Sequence, residues 1–88
     1  MRDEFWVEMS VAGRRDITMM ARRTPSSAIG TAIGVAFASM ELSETAGSNL
    51  GRCAAALDRS ARAGAPYPIR HTYKAVEMTL RVRSIPDE

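Results

Sequence analysis

The stretch Thr24-Pro25-Ser26-Ser27-Ala28-Ile29-Gly30-Thr31-Ala32-Ile33-Gly34-Val35-Ala36-Phe37-Ala38-Ser39-Met40 decides how the rest of the chain is read. The Thr24 oxygen can accept an orphan amide hydrogen, and Pro25 suits the first helical position, where a missing N–H costs nothing, so a helix starts here. Ile29, Ala32, Ile33, Ala36, Phe37 and Met40 recur at steps of three and four and form one apolar stripe for a core. The opposite side has almost no bulk: Gly30, Gly34 and Ala38 stand one above another, and no charge occurs between Arg23 and Glu41. Each interior glycine costs a helix roughly 0.8 to 1.0 kcal/mol relative to alanine, so two of them call for something that packs closely. That something is either the second helix of the same chain or another protein, since small residues let helix backbones approach.

Working outward, Phe5, Val7, Met9 and Val11 alternate with Trp6, Glu8 and Ser10, the period-two pattern of a strand with one buried face. Gly13 supplies a turn, and Ile17, Met19 and Ala21 resume the alternation, which predicts a hairpin. Beyond Met40, Gly47 reads as a stop, and a second helix is expected from Asn49 to Ala63, with Leu50, Cys53, Ala54, Leu57 and Ala61 on its inner side and Gly64 at its end. Pro66-Tyr67-Pro68 then forces an extended connection. Val76, Met78, Leu80 and Val82 alternate with Glu77, Thr79, Arg81 and Arg83, predicting one long third strand from Thr72 to Ile85. The expected fold is a single α+β domain over residues 1–88 with order ββααβ. It has a three-stranded antiparallel sheet, in order 1-2-3 or in the split 2-1-3 arrangement of ferredoxin-like modules, and both helices lie on one face.

Eighty-eight residues support one core and exclude a two-domain enzyme. Of the 40 hydrophobic residues 14 are alanine, and Leu, Ile, Val and Phe together number 16, so the interior is thin and a second copy of the chain would help stability. A net charge of +2 is too small to imply a polyanionic partner by itself. The lone Cys53 cannot make an internal disulfide, Met1-Arg2-Asp3-Glu4 carries acids where an export signal has basic residues, and the 17 uncharged residues from Thr24 to Met40 are too short and polar to span a bilayer. These features place the chain in the cytoplasm, with no membrane.

Catalysis finds little support. One His and one Cys do not make a metal site, so no metal and no cofactor are expected, nor a small-molecule substrate. Cys53 with His71 is formally a nucleophile pair, but Cys53 falls on the inner side of an alanine-rich helix, and His71 at a strand start is expected to be exposed. Glu41 and Glu44 read as a solvated helix end. Gly47-Ser48-Asn49-Leu50-Gly51 lacks the lysine and preceding strand of a phosphate-binding loop.

Two contact surfaces remain. The first is the face of Gly30, Gly34 and Ala38 with the helix flank of Arg52, Arg59 and Arg62, read as a protein-binding and self-associating surface, with a homodimer expected. The second is the open sheet face with Trp6, Arg81 and Arg83 and the hairpin tip with Arg14 and Arg15, where RNA or single-stranded DNA could stack and pair. Glu8, Asp58 and Glu77, interleaved with these arginines, favour the first.

The hairpin followed by an alanine-rich helix, Val7 to Met40, resembles in layout several small phage-encoded anti-CRISPR proteins. The similarity covers less than half the chain and carries no residue motif. It implies a non-enzymatic viral inhibitor that coats a host defence complex, often as a dimer.

Overall fold

The computed structural model describes residues 1–17 and 20–87. Its first helix, α1 (Pro25–Ser39), starts where the sequence predicts, with the Thr24 side chain accepting the Ser27 amide at 3.1 Å and Pro25 in the first turn. The second, α2 (Glu44–Arg62), starts earlier than expected, because Ser43 caps it by accepting the Ala46 amide at 3.1 Å. Gly47, read as a break, lies inside α2, and the helices are separated instead at residues 41–43. A Cβ at Gly47 would come 3.2 Å from Phe37 Cε1, so this glycine makes room for a ring on α1. Gly64, at φ +79°, ends α2 as predicted.

Strand β1 (Arg2–Val11) turns through Ala12 and Gly13, at φ +52° and +80°, into β2 (Arg14–Ile17). Paired positive φ values suit a two-residue hairpin turn. A hairpin forms as expected, but its second strand starts at Arg14, next to the two-residue turn, and ends at Ile17, whereas the alternation placed it from Ile17 to Ala21; Thr18 and Met19 lie outside the described residues. Arg22 then pairs with Phe5 through two backbone hydrogen bonds of 2.8 and 2.9 Å.

The expected third strand is two strands, β3 (Ile69–Tyr73) and β4 (Val76–Ile85), so the order is ββααββ and the sheet has four strands rather than three. The hairpin turns at Lys74, which adopts φ +52° without being glycine or asparagine and so left no turn signal in the sequence. The sheet runs β2-β1-β4-β3, antiparallel throughout, with β1 and β4 paired over ten residues from Arg2↔Ile85 to Val11↔Val76. The predicted alternation on β1 and β4 is observed: Val7, Met9, Val11, Val76, Met78 and Leu80 are buried on one face. Leu50, Cys53, Ala54 and Leu57 of α2, with Ala28, Ile29, Ala32 and Ala36 of α1, complete the core. Both helices cover this face, and a shortest dimension of 17 Å fits one helix layer on one sheet layer. The other face is open.

Candidate functional site

The α1 helix carries no charge on any side, so its inner face is selected by the sheet rather than by a charged pattern of its own. Ile29, Ala32, Ala36 and Met40 are buried as expected, and Ala28 joins them. Phe37, assigned by periodicity to the same stripe, is 55% exposed. The reason is angular: each four-residue step overshoots a full turn by about 40°, so Ile29, Ile33 and Phe37 walk off the core. Gly30, Gly34 and Ala38 are exposed beside Phe37, with Ile33 half-buried. Among the described residues, a Cβ at Gly30 or Gly34 would meet nothing within 4 Å. The α2 helix therefore does not cover this face, which excludes the same-chain explanation for the glycines. Phe37 is the residue that the sequence reading missed.

The sheet's outer face brings together Trp6, Arg15, Arg81 and Arg83, whereas Arg14, paired with Val11, belongs to the helix-bearing side. Carboxylates meet these cations. Glu8 Oε2 lies 3.1 Å from Arg81 Nε and 3.4 Å from Arg15, and Glu4 lies 3.2 Å from Arg83, whose guanidinium also sits 5.7 Å from the centre of the Trp6 ring. Arg81 Nε is buried and, despite that distance, is not aligned for a hydrogen bond, so its contact with Glu8 is coulombic. A phosphate arriving here must compete with Glu4 and Glu8.

On α2, Arg62 Nε donates to Asp58 at 2.8 Å, and Ser26 Oγ donates to the same carboxylate at 2.7 Å, joining α1 to α2. These bonds, Ser26 first, hold the Asp58 carboxyl below the usual range. Arg62 is thus turned to its own helix. Arg52 and Lys74 instead lie over the Tyr73 ring, at 5.9 and 5.7 Å, and Arg59 makes no ion pair among the described residues.

Cys53 and His71 do meet, but through the main chain: the thiol donates to the His71 carbonyl oxygen at 3.3 Å. Burial pushes the thiol's pKa up, which disfavours the nucleophilic thiolate. His71 is half-buried rather than exposed, with Nε2 2.6 Å from Ser60 Oγ. That bond ties α2 to the edge strand β3. Serine and histidine at this spacing are the start of a nucleophile and base, yet no carboxylate hydrogen-bonds His71 among the described residues to orient it. Gly47 to Gly51 is helical and forms no loop, and Glu41 and Glu44 are exposed. Among the described residues no three His, Cys, Asp or Glu side chains cluster to hold a metal ion, and no helix is long and apolar enough to cross a membrane. No protein-family model, curated protein or solved structure matches the chain.

Proposed function

We propose that this chain is a non-enzymatic protein-binding module of the cytoplasm that self-associates by packing the outward face of α1 against the same face of a second copy. One observation carries the reading: Gly30, Gly34, Phe37 and Ala38 form an uncharged exposed strip, and nothing among the described residues fills the space over its glycines. A helix with no charged side chain on any face suits an interior, and here only one side has one. The cost of the two glycines, nearly 2 kcal/mol by propensity, is offset when a second backbone comes close. A two-fold arrangement sets the strip on itself, with Phe37 at the border of the contact.

Gly34→Leu separates this role from a structural one. In the single chain the added side chain points into open space and improves helix propensity, so the melting temperature of dilute protein should hold or rise. Between copies it obstructs the approach, so size-exclusion chromatography should show the dimer lost. An unchanged oligomer size would retire the site. A further partner is a host defence complex, the role implied by the anti-CRISPR-like layout. Mass spectrometry of what co-purifies with tagged protein tests that role, and recovery of no defence component would remove it.

The rival reading, RNA or single-stranded DNA on the open sheet face, has Trp6, Arg81 and Arg83 together in its favour and Glu4 and Glu8 against it. It requires Trp6 fluorescence to change with oligonucleotide at low salt and to recover as salt is added.

A further inference from the structure

A trough runs along the outward flank of α2 beside the β3–β4 hairpin. It consists of two adjoining hollows of about 360 and 320 Å³ that share Arg52 and Tyr73. The first is bounded by Lys74 with the polar side chains of Ser48 and Asn49, and has one acid, Glu44, at its far end. The second is floored by Ala55 and Ala56 and bounded by Arg59. From Glu44 to Arg59 the helix rises by about 22 Å, the length of an extended segment of about seven residues.

Its charge is uncompensated. Arg15, Arg62, Arg81 and Arg83 each face a carboxylate within 3.4 Å, whereas Arg52, Arg59 and Lys74 make no ion pair among the described residues. With Arg52 and Lys74 over its ring, Tyr73 holds cations in place and is not offered to a stacking base. The other aromatic surface near arginines, Trp6, lies on the opposite face of the sheet. Within a second copy, Glu4, Glu8, Asp58 and Glu77 already face arginines of their own chain and Asp87 the terminal ammonium; Glu41 and Glu44 make no ion pair among the described residues, but two acids at one helix start do not line a trough of this length.

We infer that this trough binds an extended acidic segment of a partner protein. Arg52 lies between Arg59 and Lys74, and Arg52 and Arg59 are separated by about 10 Å along the helix. In a polyproline-type strand, residues three apart share a side and are about 9 Å apart, so the matching pattern is an acid at every third position. The inference takes its class of partner from the protein-binding reading but does not require self-association.

The probe is a fluorescein-labelled heptapeptide, Glu-Pro-Pro-Glu-Pro-Pro-Glu, read by fluorescence anisotropy at low ionic strength. Binding should weaken about tenfold or more in Arg52→Glu/Arg59→Glu. It should stay within about twofold in Arg2→Glu/Arg23→Glu, which changes net charge equally and whose Arg2 pairs with Ile85 at the end of the sheet opposite the trough. All four positions are exposed, so circular dichroism should report the same fold for both variants. Gly34→Leu should bind the peptide as the wild type does, which keeps a failure of the dimer distinct from a failure of the trough. Absence of peptide binding, equal weakening in the two double variants, or tighter binding of an oligothymidylate of equal charge that Arg52→Glu/Arg59→Glu abolishes would each overturn the assignment.

Discussion

Replacing Gly30 and Gly34 together by alanine should stabilise the isolated chain, an uncommon direction for a double substitution in a small domain. Both glycines are helical, and a Cβ at either meets nothing within 4 Å among the described residues, so no steric term from these opposes the change. The gain per site is the propensity difference, roughly 0.8 to 1.0 kcal/mol, and the two sum to about 2 kcal/mol. For a domain of this size, about 1 kcal/mol moves the melting temperature by roughly 4 to 8 °C, so a rise of about 8 to 16 °C is expected. Calorimetry should be run at several protein concentrations. In dilute solution the full rise should appear, and it should shrink as concentration increases, because the added methyl groups obstruct association. Gly47→Ala is the internal comparison: it has the same propensity gain, but its Cβ would lie 3.2 Å from Phe37 Cε1, so the ring must give by a few tenths of an ångström and the net gain should be smaller. A fall in stability of the double variant at concentrations where the chain is monomeric would refute the reasoning, since it would mean that the glycines already touch something within their own fold.

Two further outcomes follow from the interior and from the bond between the helices. Cys53 is 1% exposed and its thiol pKa is raised by burial, so it should not react with a thiol reagent until the protein unfolds; prompt labelling of native protein would contradict the packing of α2 on β3. The Asp58 carboxyl, held below its ordinary pKa by Ser26 and Arg62, favours the folded state above the unfolded-state value of about 4, and this is lost as pH falls through the depressed folded-state pKa. Asp58→Asn should therefore flatten the acid limb of a denaturation profile while leaving the neutral region shifted by a constant amount; an acid limb identical to that of the wild type would remove Asp58 from the account.

Elements whose pattern repeats were legible in the sequence. The alternation of Val7, Met9 and Val11 and of Val76, Met78 and Leu80 marks the two central strands, because a sheet covered on one face demands that periodicity. Thr24 and Pro25 mark a helix start through a local hydrogen bond that needs no tertiary partner. What escaped depends on contacts distant in sequence. Strand β3 contains Ile69, His71 and Tyr73 on its inner side, too polar a set to announce a strand, and its turn rests on Lys74 in a left-handed conformation. Gly47 resembled a helix stop because only the folded chain shows Phe37 lying against it. Phe37 itself was misplaced since a helix uncharged on every side does not reveal which side the sheet will choose. The arginines of the open face were visible as residues, but the carboxylates that meet them are set by strand register: Arg81 reaches Glu8, two positions along β1 from its paired residue Trp6.

Sedimentation equilibrium of the unmodified chain across the micromolar range tests the central claim most directly. The account predicts a mass that approaches twice 9.6 kDa at the upper concentrations and falls towards 9.6 kDa on dilution. A constant 9.6 kDa species throughout would contradict it, leaving the uncharged strip of α1 without the second copy that is proposed to cover it.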